Sequence, residues 1–384
     1  MLLEGLKDCD RGNYLALVCL AYKLKHRLSN AAFKDHLRIL KLFTGSTVEE
    51  MTSAAKCAEK YDKVIQPTKK IFVCNEKNCD TVLKTGADGV PLASQPCGHR
   101  FSKETKNCYF LVLSIEQQIQ YLLESGAAKR VDDKQNHCDG KTRGDIQTGD
   151  LYRDKVRITD ELISYITLQL NTDGAECHKT SKFTFWAFMG VPNELPYWLR
   201  RSNILLFALW YGNKKPPSGP FLEASISELQ QLGTKGVQFN QRTYLVKPLI
   251  LTTDSMARSV FLNGSTFRGE CGCDFCLHPG EMVKIGRGST RVYPDLTSNP
   301  TFAPRTIEQH ERDLMTVLGN GKRLHGIKGP SPFLALLDFD YVEAQVPDYL
   351  HCVCQGGIKF LVDLWTLTKY FKQPWYLDEK KKKI

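Results

Sequence analysis

Two segments decide the fold of this chain, YITLQLNTDG at residues 165–174 and YLVKPLILTTD at residues 244–254. Each is rich in β-branched, aromatic and leucine residues, which is typical of a buried strand. The first reaches Asp173 and the second ends at Asp254. If the strands are neighbours, the two carboxylates face each other. The structural alternatives are a turn at the Asp-Gly dipeptide of Asp173 and a helix cap at Asp254.

The segments around these two strands predict the order of the elements. Strands are expected at residues 183–191 and 204–211, and apolar residues at helical spacing predict a helix over residues 221–232. Another helix is expected to begin at Ser255. The order β-β-β-α-β-α is typical of the ribonuclease-H-like fold, in which a crossover helix brings a parallel fourth strand beside the first. We therefore predict an α/β (α+β) protein with a ribonuclease-H-like catalytic core at residues 151–265.

In such a core, Asp173 and Asp254 lie side by side although they are far apart in the chain. Two ionised carboxylates offer the oxygen ligands that Mg²⁺ or Mn²⁺ prefers. Metal ions held there stabilise the attacking and leaving oxygens of an in-line phosphoryl displacement. A third acid is normally needed, and Glu343, Asp348 and Asp363 are available for that role.

The composition narrows the class of protein. The chain has 384 residues and a net charge of +10, which mildly favours an anionic partner. No apolar run approaches the ~18 residues of a membrane span, so we expect no membrane partner. We expect an intracellular protein with reduced thiols, and interpret its 14 cysteines as core residues and metal ligands.

The N-terminal part is predicted to hold a helical segment at residues 1–65 and a zinc-ribbon-like region followed by a helix at residues 66–126. A linker is expected at residues 127–150. The helical segment contains a capping box at Thr47 and Glu50, and its helix pair is either a DNA-binding helix-turn-helix or a plain packing unit.

The zinc-ribbon-like region carries the first set of candidate zinc ligands. Cys74, Cys79 and Cys97 lie on loops, and the fourth ligand is either His99 or Cys108. Thiolates and imidazole form tetrahedral Zn²⁺ sites that hold small folds together. The alternative is a set of unpaired buried cysteines in a β-rich linker.

Residues 266–384 are predicted to form an inserted Cys/His segment and a helical region. Cys273 and Cys276 form a Cys-x-x-Cys pair, for which His325 and His351 are the candidate remaining Zn²⁺ ligands. The alternative is core cysteines, a turn histidine and a satisfied helix histidine. A helix near the end of this region has an apolar stripe that is expected to pack in the core.

The last lysines of the chain allow two interpretations. The run Lys380–Lys383 is either a nuclear-import or phosphate-contacting patch or a solvated chain end.

Over residues 145–365 the chain resembles the transposases of the CACTA (EnSpm-like) class of DNA transposons. The matching segments, in order, are DIQTGDLYR at 145–153, LNTDG at 170–174, NELPYWLR at 193–200, LWYGNKKP at 209–216, KPLILTTDSMAR at 247–258, GCDFCLHPGE at 272–281, HGIKGPSP at 325–332 and VPDYLHCV at 346–353. The region from Cys74 to Cys108 is similar to the zinc-binding region that often precedes the catalytic domain of this family.

The resemblance implies a DDE-type transposase that cleaves and joins transposon-end DNA in the nucleus, with a homo-oligomer as a further expectation. By position, Asp173 and Asp254 match the first two acids of the family's triad. Cys273, Cys276 and the Asp348–His351 motif match its inserted, zinc-stabilised segment. The family's catalytic glutamate lies in a later motif, and the sequence ends at Ile384 before one occurs.

We therefore expect an inactive or incomplete transposase. The alternatives are a domesticated, non-catalytic DNA- or protein-binding remnant, and another ribonuclease-H-like nuclease.

Overall fold

The computed structural model describes residues 19, 22–23, 26, 28–44, 67–76, 79–101, 108–128, 130–131, 144–156, 162–176, 183–294, 302–336 and 338–377. The chain divides into two compact units, Met1–Lys69 and Lys70–Ile384. In the first unit, helix α1 spans Asn30–Thr44 and buries Phe33 and Leu37. The predicted capping box at Thr47 and Glu50 and the lysine run Lys380–Lys383 lie outside the described residues.

Most of the described strands belong to one mixed sheet. The strands are β1 Lys69–Val73, β2 Cys108–Val112, β3 Ile163–Glu176, β4 Thr184–Pro192, β5 Leu205–Gly212, β6 Val237–Phe239, β7 Arg242–Thr253, β8 Glu281–Ile285, β9 Gly288–Val292 and β10 Gln345–Pro347. The order in the sheet is β1-β2-β5-β4-β3-β7-β10, β6 pairs with β7, and β8 and β9 form a separate hairpin.

Helices connect and cover these strands. The α-helices of the second unit are α2 Ile115–Leu122, α3 Asp150–Lys155, α4 Tyr197–Arg200, α5 Ser218–Lys235, α6 Ser255–Phe261, α7 Ile307–Asn320 and α8 Lys359–Thr366. Short 3-10 helices span Ile146–Thr148, Pro332–Ala335 and Thr368–Tyr370, and π-helices span Leu123–Ala127 and Leu350–Ile358. Within the described ranges, no helix combines the length and apolar character that crossing a membrane requires.

The predicted pairing of the first and fourth core strands is confirmed. Strand β3 is antiparallel to β4, and β4 is antiparallel to β5. After helix α5, strand β7 returns parallel to β3. The sequence did not predict β10, which pairs parallel with β7 over three residues. The chain is therefore a mixed α/β protein built on one central sheet.

One face of the sheet packs against α5 and α6 to form the core. Strand residues point alternately to the two faces, so Ile166, Leu168 and Leu170 lie on the same buried face of β3. Phe221 of α5 packs edge-on against Phe261 of α6, with ring centroids 6.4 Å apart. Each such buried side chain stabilises the fold by roughly 1.5–3 kcal/mol.

Strand β3 continues beyond Asp173, where the sequence predicted its end. Asp173 pairs with Ala187, Gly174 pairs with Trp186, and the strand ends at Glu176. A Cβ on Gly174 would lie 2.6 Å from the Trp186 ring, which is too close for a larger residue. The absence of a side chain at Gly174 therefore allows the Trp186 ring to pack over the strand. The alternative of a turn at Asp173 is therefore wrong, because cross-strand pairing outweighs the local preference of Asp-Gly.

The packing predicted for the C-terminal helix is also wrong. The π-helix Leu350–Ile358 and α8 contain no buried residue. Phe360 is 59% exposed and Trp365 is 41% exposed. Helical spacing shows which residues share a face, but it does not show that another element covers that face.

Candidate metal centres

Two predicted acids end up beside each other because of the pairing of their strands. Thr172 of β3 is the register partner of Thr253 of β7, and the strands run parallel. The next residues, Asp173 and Asp254, therefore occupy adjacent positions at the same edge of the sheet. The Asp254 side chain accepts the N–H of Ala257 and caps α6, so its structural interpretation as a helix cap is confirmed. That bond also fixes the orientation of the carboxylate.

The charges around Asp173 show that the two acids interact. Burial raises the pKa of Asp173, and the negative charge of Asp254 raises it further. The N–H of Gly174, 2.6 Å from Asp173 Oδ1, acts in the opposite direction. A carboxylate whose ionisation is opposed by a neighbouring carboxylate is stabilised when a cation lies between them. The pair thus has the electrostatic character of a cation site.

Strand β10 brings a third acid and a histidine to the same edge. Pro347 is the register partner of Thr253. The residues that follow them, Asp348 and Asp254, therefore lie beside each other at this edge of the sheet. His351 Nδ1 lies 2.9 Å from Asp348 Oδ2. This hydrogen bond raises the pKa of His351, and the charges of Asp348, Asp173 and Asp254 act in the same direction.

The carboxylate of Asp348 is already engaged by its own chain. Its Oδ1 accepts the N–H of Leu350 at 2.8 Å and lies 3.3 Å from the N–H of His351. Burial raises the pKa of Asp348, but the hydrogen bonds from His351 and Leu350 outweigh burial and lower it. The sequence assigned His351 to the zinc site of Cys273 and Cys276, whereas the structure places it beside these acids.

The second candidate centre is formed by Cys74, Cys79, Cys97 and His99. Their ligand atoms all lie within 4.8 Å of one another, and Cys74 Sγ is 3.4 Å from His99 Nδ1. Zn–S bonds of ~2.3 Å in a tetrahedron separate the ligands by about 3.7 Å. The cluster can therefore bind a metal ion such as zinc. Within the described residues, it is the one group of three or more such ligands this close together.

Backbone hydrogen bonds and one glycine hold these ligands in place. Cys74, which follows β1, donates its N–H to Thr81 at 2.9 Å. Cys79 donates its N–H to the carbonyl of Glu76 at 3.1 Å, which fixes the position of Cys79 relative to Glu76. Gly98 has a φ of 75°, a conformation that glycine adopts without strain. It reverses the chain between Cys97 and His99, so both side chains reach the cluster.

The ligands have different protonation tendencies. Burial raises the pKa of Cys74 to about 11. The hydroxyl and N–H of Thr81 lower the pKa of Cys79 to about 6. Hydrogen bonds with Cys97 and Cys79 raise the pKa of His99. Since metal binding requires thiolates, the lowered pKa of Cys79 favours its role as a ligand.

Cys108, the alternative fourth ligand, lies elsewhere. It is buried at the start of β2, and its thiol donates to Asn213 Oδ1 at 3.2 Å. The structure thus places His99, and not Cys108, with the three cysteines as the fourth candidate ligand.

Cys273 and Cys276 are neighbours in a separate loop. Burial raises the pKa of Cys276, and its hydrogen bond with Cys273 raises it further. Arg305 holds the loop by donating to the carbonyls of Cys273 and His325, each at 2.8 Å.

The ring of His325 contacts a carboxylate and not the two cysteines. Its Nδ1 lies 2.8 Å from Asp313 Oδ2. Among the described ranges, no third ligand joins Cys273 and Cys276 within 4.8 Å. Zinc at this pair stays a prediction.

No family model matches this chain, and no curated protein matches it significantly.

Proposed function

We propose that the central sheet is a ribonuclease-H-like core and that Asp173 and Asp254 bind Mg²⁺ or Mn²⁺ for phosphodiester chemistry on DNA. The strand order β5-β4-β3-β7-β10 supports this proposal. Its first three strands in sequence are antiparallel, and the last two are parallel to β3, as such a core requires. The register between Thr172 and Thr253 carries the proposal, since it puts the two acids side by side.

The donor set fits a hard divalent cation. Asp173 and Asp254 offer carboxylate oxygens, the ligands that Mg²⁺ and Mn²⁺ prefer. A bound ion supplies positive charge to a phosphate in the transition state. Asp254 is oriented by its cap on α6, and Asp173 by the N–H of Gly174. A hydrogen bond from a backbone N–H thus orients each of the two carboxylates.

The resemblance to CACTA transposases supports transposon-end DNA as the ancestral substrate. We further propose a nuclear protein that acts as a homo-oligomer, as such chemistry on paired DNA ends requires. The net charge of +10 favours a polyanionic partner.

One observation favours the second candidate function, a non-catalytic DNA- or protein-binding remnant. Asp348 is the third carboxylate at the site, but His351 and two backbone N–H groups engage both of its oxygens. These hydrogen bonds compete with a metal ion for the oxygens of Asp348. Asp173 and Asp254 can therefore bind a cation with less help from the third acid that this chemistry normally uses. We therefore expect cation binding without strand transfer.

Calorimetric titration of the purified chain with Mn²⁺ tests the acid site. We expect binding by the unmodified chain and at least tenfold weaker binding by Asp173→Asn. Asp338→Asn is the matched control, because Asp338 is exposed and pairs with Lys247 away from the acid pair. Equal Mn²⁺ affinity in Asp173→Asn and the unmodified chain contradicts the proposed site.

An assay with labelled DNA separates the two candidate functions. Mg²⁺-dependent strand transfer that disappears in Asp173→Asn establishes the active enzyme. Mn²⁺ binding without strand transfer supports the remnant.

The cluster of Cys74, Cys79, Cys97 and His99 is proposed to hold structural Zn²⁺ in a zinc-ribbon-like unit. Three thiolates and one imidazole form a closed tetrahedral set, which is typical of structural zinc. Among its described residues, the segment between Cys79 and His99 is paired only by single bridges, Val73–Val82, Thr85–Pro91 and Ser94–Arg100. Such a segment buries little core of its own, so a metal is expected to stabilise it.

A further inference from the structure

A row of aromatic rings crosses the central sheet. It is formed by Phe72 of β1, Tyr109 of β2, Tyr211 of β5 and Phe185 of β4. Successive ring centroids are 5.9, 5.5 and 5.4 Å apart. We call these four residues the aromatic row. Because the rings touch in sequence, they lie on the same face of the sheet.

The strand register places this row at the level of the acid pair. Tyr109 is the partner of Tyr211, Tyr211 is the partner of Phe185, and Phe185 is the partner of Ala175 on β3. Asp173 lies two residues before Ala175, so its side chain points to the same face. It is a diagonal neighbour of Phe185, at a distance of about 7–8 Å. The row therefore ends at the candidate cation site.

The two faces of the sheet differ in their surroundings. On the opposite face, Phe110, Phe188 and Trp210 are fully buried in the core. The members of the row are only partly buried, and Phe185 is 40% exposed. Phe183 stacks on Tyr211, with ring centroids 4.9 Å apart. Phe185, the member of the row nearest Asp173, therefore offers a ligand the most accessible ring surface.

A cation accompanies the rings. Lys70 Nζ lies 4.2 Å from the centre of the Tyr109 ring and 5.0 Å from that of Phe72. Its side chain is exposed. A polypeptide covering the row would have to bury this ammonium group at a cost. A phosphate backbone would instead gain a favourable charge contact there.

We propose that the aromatic row binds an unpaired DNA strand and leads it to Asp173 and Asp254. Bases stack on aromatic rings with little sequence preference, while Lys70 contacts the phosphates. Four rings on neighbouring strands suit two or three stacked bases, as on other sheet platforms that bind nucleic acid. The inference rests on the proposed function, and it adds the form of the substrate: a strand separated from its complement near the acid pair.

Fluorescence anisotropy with labelled oligo(dT) of about 12 nucleotides tests this surface. The full chain is used in EDTA, so that divalent metal contributes nothing. We expect Phe185→Ala and Tyr211→Ala to bind about tenfold more weakly or worse, the scale of one lost base–ring contact. Phe185→Leu is expected to lose as much, because it keeps apolar bulk but removes the ring. Phe185→Trp is expected to retain binding and to show fluorescence quenching by the stacked base.

Tyr121→Ala is the matched control. Tyr121 is 70% exposed on α2, which contacts α5 on the opposite side of the sheet. The Tyr121→Ala variant should bind oligo(dT) as tightly as the unmodified chain does. Circular dichroism and the thermal midpoint of each variant show that the fold is intact, and Phe185→Leu covers the case in which an alanine variant unfolds.

Three outcomes overturn the inference: no oligo(dT) binding by the unmodified chain, unchanged binding by folded Phe185→Leu, or loss of self-association in Phe185→Leu with DNA binding intact. The last outcome would make this face a protein interface. Asp173→Asn should still bind oligo(dT) in EDTA. If Mn²⁺ binding fails while the row variants weaken DNA binding, only the proposed chemistry is wrong.

Discussion

Thr172 of β3 and Thr253 of β7 are partners in a parallel strand pair, and the residue after each is an aspartate. This single register brings Asp173 and Asp254 together across 81 residues of sequence. A shift by one residue would move one acid to the other face of the sheet. The candidate cation site therefore depends on strand pairing and not on a local motif.

Asp254 caps α6 and is also proposed to bind a cation, and two substitutions should separate the observed role from the proposed one. Asp254→Ala removes the cap of α6 and should lower the free energy of unfolding by about 1 kcal/mol. Asp254→Asn keeps a capping oxygen and should change stability little. Both should lose Mn²⁺ binding. Urea unfolding in EDTA together with calorimetry measures the two effects, and equal stability of the two variants would remove the capping argument.

The cysteine cluster should hold one zinc ion per chain by elemental analysis. Cys97→Ser should lose the metal, because three ligands bind Zn²⁺ far less tightly than four. A strong chelator should lower the thermal midpoint of the unmodified chain and leave that of Cys97→Ser unchanged. Cys108→Ser is the control, since Cys108 is a buried cysteine outside the cluster. Zinc loss in Cys108→Ser would contradict the ligand assignment.

Glu194 should make stability depend on pH. It is fully buried, and burial raises its pKa to about 7 despite hydrogen bonds from Thr167 and Tyr152. The pKa of this carboxyl in the unfolded chain is near 4.5. Below that pH the carboxyl is protonated in the folded and the unfolded protein, and its contribution to the free energy of unfolding is fully present. As pH rises through about 7, the folded protein must ionise a buried group, and that stabilisation is lost. The loss should approach about 3 kcal/mol.

The difference between the unmodified chain and Glu194→Gln isolates this effect. Urea unfolding at acidic and mildly alkaline pH should show a smaller pH dependence in the variant. His310, whose pKa burial lowers to about 4, titrates in both proteins and cancels in the comparison. Glu343→Gln, at an exposed position, should behave like the unmodified chain. An unchanged pH profile in Glu194→Gln would refute the assignment.

An ion pair between a buried guanidinium and a half-buried carboxylate should anchor the cysteine loop to α6. Arg258 Nη1 lies 2.7 Å from Asp274 Oδ2, and Arg258 Nη2 donates to the Thr253 carbonyl at 3.1 Å. Asp274→Leu leaves a buried guanidinium unpaired and should cost about 3–5 kcal/mol. The double variant Arg258→Met, Asp274→Leu should recover part of that loss. A double-mutant cycle from urea unfolding measures the coupling, and purely additive losses would show that the pair is not coupled.

Several elements were predictable because their signals are local. Alternating and apolar runs predicted β3, β4, β5 and β7, and helical spacing predicted α5. The association of one acid with each of the strands β3 and β7, and the first three ligands of the cysteine cluster, also follow from the sequence alone. The limits of β3 were missed, since pairing with β4 carries the strand through Asp173 and Gly174.

The sequence by itself determined which residues have the chemistry of ligands and which segments are strands, because side-chain type and periodicity are properties of neighbouring residues. Only the tertiary structure decided which of them meet. Three residues of β10 bring His351 to the acids instead of to Cys273, and the cluster takes His99 instead of Cys108. Register and burial arise from contacts between segments far apart in the chain. They also decide that the aromatic row faces outward while the opposite side of the same strands forms the core.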